Sequence, residues 1–267
     1  MKVRLDDFLV EKNFFETKSK AQAMILAGKV KLNGEKITKA GYQIKDENVQ
    51  IEIETIPYVS RGGFKLEKAI KSFDIDLSNK ICLDAGASTG GFTDCMLQNG
   101  AKKVYAVDVG YGQLDWKLRN DERVITIERT NIKNCPFEDI YESEVEAEFL
   151  SADLSFISIT KVLPNLKNLV LPNATMVFLI KPQFEAGKEK VEKGGVVKNK
   201  NTHFEVIKNV IDFAKEAGLF VQGLDFSPIT GPKGNIEYLI CLNNHSTNFE
   251  DEQIWSIINT AYLQLGK

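Results

Sequence analysis

The sequence predicts a two-part chain: an α/β unit built on a mostly parallel, doubly wound sheet, preceded by a small α+β unit. Three observations carry this reading. An apolar run, Ile81-Cys82-Leu83, ends in Asp84 and breaks into a loop of small residues, Ala85–Gly91, which opens a helical segment. A second apolar run then ends in another acid, Asp108. Acids at the ends of adjacent strands, with glycines between them, are how a doubly wound sheet builds a nucleoside site at its carboxyl edge. Charge supplies the third: residues 1–45 hold ten Lys/Arg against five Asp/Glu, while the whole chain is net −3, so the remainder is net −8. A basic unit on an acidic body is the asymmetry of a nucleic-acid docking module.

From the amino terminus, Arg4–Lys12 places Leu5, Phe8 and Leu9 at helical spacing. A second helix is expected over Ser19–Ala27, with Ala23, Leu26 and Ala27 on one face and Gly28 as its stop. Val30–Asn33, a turn at Asn33-Gly34 and the alternating Val49–Ile53 read as strands. Lys18, Lys20, Lys29 and Lys31 surround the second helix and its exit, where together with Arg4 they can face a phosphate backbone. Thr55–Tyr58 reads as a linker because Pro57 restricts Ile56 and stops strand pairing. The expected domains are therefore 1–54 and 59–267, with 55–58 between.

In the second part, Lys65 sits early in an amphipathic helix. After the two strands that end in Asp84 and Asp108 comes a third, Val124–Ile127. Phe149–Leu150 leads to Asp153, Met176–Ile180 leads to Lys181, and Glu237 opens the apolar run that follows. Helical stretches between them, Thr202–Gly218 the clearest, imply strand–helix alternation and a mostly parallel sheet. A polar residue just past a buried strand projects into the ligand crevice, so Asp153 and Lys181 are expected beside the loop at Gly86 to Gly91. The acidic run Glu138–Glu148 reads as a solvated helix or loop, and Lys188–Lys198 as a mobile loop that orders on substrate. His203 is expected to support a helix start, and Cys82 and Cys241 to lie in the core.

Composition narrows the function classes. The chain has 267 residues, 43% of them hydrophobic, enough for one large core and a satellite. Its four cysteines are scattered, without C-x-x-C and without a ligand pairing to the two histidines, so no disulfide framework or metal site is expected. The charged N-terminus is unlike a signal peptide, and no stretch approaches the roughly 20 apolar residues of a membrane span. The expectation is a soluble cytoplasmic protein.

The glycine order selects the nucleoside. A dinucleotide site wants G-x-G-x-x-G with a helix N-terminus free for pyrophosphate. Here the order is Gly86-Ala-Ser-Thr-Gly90-Gly91, and no G-K-[ST] follows. A phosphate-free nucleoside such as S-adenosylmethionine suits that loop. D-x-G-x-x-x-G-G after a strand resembles the first motif of class I methyltransferases. Asp84, Gly86, Ser88, Gly90 and Gly91 then line the methionine side and Asp108 accepts from the ribose hydroxyls. Thr130 and Asn131 are expected to contact adenine.

The N-terminal text R-L-D-x-x-L…S-K-A-x-A-x-x-L-x-G-x-V-x-x-N-G resembles the RNA-binding domain named after small-subunit ribosomal protein S-four. Pseudouridine synthases carry that module too, but the methyltransferase loop argues against them. Lys65, Asp153, Lys181 and Glu237 resemble, in order and context, the K-D-K-E tetrad of FtsJ-like ribose 2′-O-methyltransferases. The surrounding YVSRGGFKL, LDAGASTGGFTDC, VYAVDVGYGQLDWKLRND, LSFIS, IKPQFEAG and KGGVV are similar to the TlyA/hemolysin A family. That resemblance implies a Rossmann-like class I methyltransferase fold behind an RNA-binding domain. It implies S-adenosylmethionine as cofactor, and cytidine 2′-hydroxyls of ribosomal RNA, or of ribosomal subunits, as substrate.

A ribose hydroxyl is a poor nucleophile until its proton leaves. Lys181 can take that proton if neutral, or position the hydroxyl, and both roles stay open. Asp153 and Glu237 are expected to orient the lysines, with Asp153 also near the methionine amino group. Arg61, Phe64, Phe184 and Lys188 are candidates for RNA contact by the cleft. Two other classes compete: a non-enzymatic ribosome-assembly factor on the same fold, and a membrane-active hemolysin using an amphipathic piece such as Gln253–Leu265.

Overall fold

The computed structural model describes residues 3–15, 17–44, 48–53, 56–142 and 146–266. The chain divides into two compact units, Met1–Pro57 and Tyr58–Lys267. Thr55 of the expected linker lies outside the described residues. Tyr58, expected in that linker, is buried in the second unit, edge-on to Phe64 at 5.6 Å.

In the first unit the order is β1 (Val3–Arg4), α1 (Leu5–Glu11), α2 (Lys18–Leu26), β2 (Val30–Leu32), β3 (Glu35–Ile37), β4 (Gln43–Ile44) and β5 (Ile51–Ile53). Leu5, Phe8 and Leu9 of α1 form the core with Ala21 and Ile25 of α2 and with Val30, Leu32, Ile37 and Ile44. The inward face of α2 is thus Ala21 and Ile25, four residues apart, and Leu26 is 65% exposed, which corrects the face expected from sequence. Asn33 and Gly34 both take positive φ, the turn that joins two antiparallel strands with matching twist, here β2 and β3. Thr17 caps α2, its side chain accepting from Lys20 N at 3.3 Å.

In the second unit α3 (Gly62–Ser72) leads to β6 (Ile81–Ala85), α4 (Gly91–Gln98), β7 (Lys103–Val107), α5 (Trp116–Arg119), β8 (Val124–Ile127), β9 (Phe149–Ala152) and α6 (Ile159–Asn168). Then follow β10 (Thr175–Ile180), α7 (Pro182–Glu185), α8 (Lys200–Glu216), β11 (Phe220–Phe226), β12 (Tyr238–Asn243) and α9 (Asp251–Leu265). The seven-stranded sheet has the order β11-β12-β10-β9-β6-β7-β8. The strands β8 to β10 in that order are parallel, whereas β12 runs antiparallel to both β10 and β11.

Side chains of successive residues go to opposite faces, and the core divides accordingly. Met176, Phe178 and Ile180 of β10 pack with Val162, Leu166, Ile207 and Ile258 from α6, α8 and α9. Val177 and Leu179 pack on the other face with Leu66, Ala69 and Met96 from α3 and α4. Cys82 and Cys241 lie in this second layer, as expected. The apolar face of α9 is consumed in the core through Ile254, Ile258 and Ala261, so the amphipathic piece 253–265 is a packing helix. Among the described residues no helix is long and apolar enough to cross a membrane.

Chain order reverses at β6. From it the chain moves outward through β7 and β8, then returns to place β9 on its other side. Ligand crevices form outside the carboxyl ends of strands at such a switch point. The 188–198 segment, expected to be mobile, is folded: a 3-10 turn over Lys188–Lys190 is followed by a bridge between Glu192 and Val196, and Val197 is buried. Of the run 138–148, Phe137–Asp139 is a 3-10 turn and residues 143–145 lie outside the described residues.

Candidate active site

At the carboxyl edge of the sheet two lobes of a single cleft meet at Gly86, Ser88, Asp153 and Ser155, which line both. The larger charge concentration is in the first lobe, about 340 Å³ in volume, where Lys65, Asp153, Lys181 and Glu237 converge. Lys65 Nζ donates to Glu237 Oε2 at 2.8 Å and to Asp153 Oδ2 at 3.4 Å. Lys181 Nζ lies 2.5 Å from Asp153 Oδ1 and donates to Ser155 Oγ at 2.9 Å. Gln183 Nε2 donates to Glu237 Oε1 at 3.2 Å.

Each of the four is placed by a different element. Asp153 follows β9 and Lys181 follows β10, with Pro182 at the first position of α7 to turn the chain away. Glu237 precedes its strand, but β12 is antiparallel, so its start lies at the same edge as the ends of the parallel strands. Lys65 arrives on α3, whose start sits close against the start of α4. A Cβ on Gly91 would lie 2.3 Å from Ser60 Oγ and 2.9 Å from Gly63 N, so only glycine permits that approach. Lys68, one turn after Lys65, donates to Asp225 Oδ1 at 2.9 Å and to the Phe226 carbonyl at 2.7 Å, fastening α3 to β11.

Burial opposes the charges of Lys65 and Asp153, and their partners reverse its effect. It works against the Lys65 ammonium, but Asp153 and Glu237 hold that amine above the ordinary lysine range. It likewise pushes the Asp153 carboxyl upward, and the two ammonium groups beside it bring it below the ordinary range.

The second lobe, about 350 Å³, is lined by Asp108, Gln113, Thr130 and Asn131 together with Ile132, Leu154 and Phe156. Asp108 Oδ2 accepts from Ser88 N at 2.8 Å and Oδ1 from Gly110 N at 2.7 Å, which fixes the carboxylate at the lobe. Among the described residues, lysine and arginine are missing from this lining, whereas Asp108 and Asp153 are both in it. Such a donor set suits a phosphate-free, cationic nucleoside and disfavours a pyrophosphate.

Residues 58–244 match the family model of the FtsJ-like methyltransferases. The chain belongs to this family. Residues 3–51 match the S4 domain. A Bacillus subtilis protein provisionally named an rRNA methyltransferase is 45% identical over 270 residues, covering 99% of this chain and 95% of its own. The 16S/23S rRNA (cytidine-2′-O)-methyltransferase TlyA of Mycobacterium tuberculosis is 40% identical over 92% of this chain and 91% of its own. Among solved structures, a Streptococcus thermophilus protein provisionally named a hemolysin superposes with a TM-score of 0.77 at 42% identity, covering 98% of this chain and 96% of that one. An FtsJ-like methyltransferase fold implies S-adenosylmethionine as the methyl donor, which is the phosphate-free cation the second lobe suits.

Several residues expected at the FtsJ-like site take other places. Asp84 is fully buried beneath the loop, accepting from Thr93 Oγ1 at 2.6 Å and from Ser151 Oγ at 3.1 Å, so it braces the loop and lines neither lobe. Burial pushes its carboxyl up to about 7, against the two hydroxyl donors. Gly90 also lines neither lobe; a Cβ there would lie 2.2 Å from Leu118, so it is glycine for packing. Phe64 packs on Tyr58 and Lys188 is an exposed residue of a 3-10 turn, and neither lines the cleft. Phe184 stacks obliquely on Phe156 at 4.8 Å, at the mouth of the second lobe. Arg61 lines the first lobe, its guanidinium donating to the Thr230 carbonyl at 3.3 Å.

In the first unit, Arg4 grips the buried Asp6 through two hydrogen bonds of 3.0 and 2.7 Å, so its first role is structural. Lys18 pairs with Asp7 and Lys31 with Glu52 at the surface, contacts weak enough to yield to phosphates. Lys20 is exposed and Lys29 partly so. His203 is buried inside α8; its Nε2 donates to the Val197 carbonyl at 2.9 Å, which leaves Nδ1 to accept from Tyr238 Oη at 2.7 Å.

Sequence reading missed Ser155, Gln183 and Phe156. Phe156 is 89% exposed and holds φ +63°. Of the seven non-glycine residues with positive φ among the described residues, four are Asn or Asp, which tolerate it; the others, Ser88, Arg129 and Phe156, all stand at the carboxyl edge. Strain gathered at one edge is a mark of function rather than of folding.

Proposed function

We propose that this protein transfers the methyl group of S-adenosylmethionine to the 2′-hydroxyl of cytidine in ribosomal RNA, docking the RNA or the ribosomal subunit through its N-terminal unit. The observation that carries the reading is the convergence of Lys65, Asp153, Lys181 and Glu237 in one lobe, beside a second lobe of acids and small polar groups. Its relatives' names point to the same chemistry. A ribosomal substrate makes the cytoplasm its place of work.

When bound, S-adenosylmethionine supplies a sulfonium methyl group. Asp108 accepts from the ribose hydroxyls of that nucleoside, and Thr130 and Asn131 meet its base. Asp153 faces its methionine amine. In the acceptor lobe Asp153 and Ser155 hold Lys181 Nζ, which aligns the 2′-oxygen for in-line attack; such alignment contributes several kcal/mol. Bound in the second lobe, S-adenosylmethionine would give its methyl carbon to the 2′-oxygen and leave as the thioether, and the hydroxyl proton would pass to Lys181 acting as a base, or to water where Lys181 only positions the oxygen. Lys65 and Glu237, joined at 2.8 Å, fix Asp153 from the other side. A transfer rate that rises with pH marks a base, and a flat profile marks a positioner.

The test is transfer of labelled methyl groups to subunits purified from cells lacking the protein. Mapping of the modified nucleotides follows. Methylation at cytidine 2′-oxygens supports the reading; S-adenosylmethionine binding with no transfer to any RNA would favour a ribosome-assembly role.

A further inference from the structure

We propose that a groove beside the acceptor lobe seats the nucleotide adjacent to the methylated one, with its backbone phosphate between Arg61 and Lys233. The inference rests on the reading of that lobe as the seat of an RNA ribose. The groove, of about 690 Å³, runs between the loop 230–234 and the end of α9. Its wall is continuous with the catalytic lobe, because Arg61, Thr230, Gly231 and Pro232 line both.

Charge and shape name the occupant. Val197, Ile236 and Tyr262 form an apolar lining, and Arg61, Lys198 and Lys233 supply three cations. Lys198 is balanced by Glu192 at 3.0 Å, while Lys233 makes no ion pair among the described residues. A net-positive groove on a chain of net −3 is matched to a polyanion. A methyl-accepting ribose belongs to a polymer, so its neighbour must be led out of the lobe, and on this side the shared wall leads into the groove.

The groove is also preformed. Buried Asn235 accepts from Val197 N at 3.0 Å and donates to the Gly195 carbonyl at 2.8 Å, tying the loop that carries Lys233 to the segment opposite. Within the loop, Gly231 N donates to the Asn235 carbonyl at 2.9 Å and Gly234 N to the Gly231 carbonyl at 2.8 Å. A rim held before binding loses little entropy on binding.

The experiment measures methyl transfer to ribosomal subunits from cells lacking the protein, comparing wild type, Lys233→Glu and Lys102→Glu. Lys102 is exposed at the opposite edge of the sheet, before β7, and makes the same charge change. Lys233→Glu is expected to raise KM for subunits about tenfold, to leave kcat and the S-adenosylmethionine Kd within twofold, and to flatten the log–log salt dependence by about one unit. Lys102→Glu is expected to match wild type. If wild type is active and Lys233→Glu keeps its KM and salt slope, or if Lys102→Glu shifts them equally, the groove assignment is overturned while the methyltransferase reading stands. If wild type transfers no methyl group, both fall.

Discussion

Lys65 and Glu237 are 172 positions apart in the chain and meet at 2.8 Å in the fold, the lysine nearly buried and the glutamate 1% exposed. Neither charge could be carried at that depth alone. Removing one partner of a buried pair leaves the other uncompensated and costs about 3–5 kcal/mol. Lys65→Met is therefore expected to lower stability by that order, and the double variant Lys65→Met/Glu237→Gln to recover most of it. Both are expected to lose methyl transfer by at least a hundredfold. Urea denaturation alongside a transfer assay separates the two effects; a double variant that regains activity would mean the pair serves folding only.

Asp84 makes the fold sensitive to pH. Its proton leaves near pH 7 in the folded chain, against about pH 4 when unfolded. Between these values the folded state binds more protons. Its stabilising contribution is thus complete below about pH 4 and is lost as pH rises through 7. Asp84→Asn keeps an acceptor for Thr93 and a donor toward Ser151 without the titration. The stability of wild type relative to this variant is expected to fall between pH 5 and pH 8; an unchanged difference across that range would refute the buried-acid account.

Asp108 is expected to govern cofactor affinity rather than transfer. Its carboxylate already accepts from Ser88 N and Gly110 N, which hold it toward the second lobe. Asp108→Ala removes a charged acceptor worth about 1.5–3 kcal/mol, so S-adenosylmethionine binding should weaken by roughly ten- to a hundredfold. Calorimetry on the two proteins measures this directly, and equal affinities would place the ribose elsewhere.

Phe156 pairs exposure with strain, so folding and function should diverge there. A bulky residue at positive φ costs about 1–3 kcal/mol, and glycine relieves it. Phe156→Gly is expected to leave stability equal or higher while kcat/KM for ribosomal subunits falls about tenfold, the scale of one lost base–aromatic stack. A loss of stability with unchanged kcat/KM would make Phe156 a structural residue.

Much of this site was legible in sequence because strand ends announce themselves. Asp108, Asp153 and Lys181 each follow an apolar run, and in a doubly wound sheet that position is the crevice. Glu237 was legible only through its resemblance to a motif, since it precedes its strand and reaches the edge because β12 is antiparallel. Period-two patterning does not encode strand direction. Asp84 obeyed the same strand-end rule and was misplaced by it: it is the penultimate residue of β6, still within the sheet, and Thr93 and Ser151 enclose it. Gly90 looked like a ligand glycine, and the side chain it avoids, Leu118, lies on a helix whose approach no local pattern reveals. In α2, Ala23 and Leu26 share a face as well as Ala21 and Ile25 do, and only the packing of α1 decides between them.

Lys181, held by Asp153 and Ser155, is expected to act on the acceptor hydroxyl and not on the cofactor. The most direct measurement quantifies 2′-O-methylcytidine by mass spectrometry in rRNA from subunits treated with wild type or Lys181→Ala, with S-adenosylmethionine affinity measured on the same preparations. The expected result is 2′-O-methylcytidine with wild type, none above background with the variant, and cofactor Kd values within about threefold of each other. Full methylation by Lys181→Ala, or loss of cofactor binding in it, would contradict the assignment.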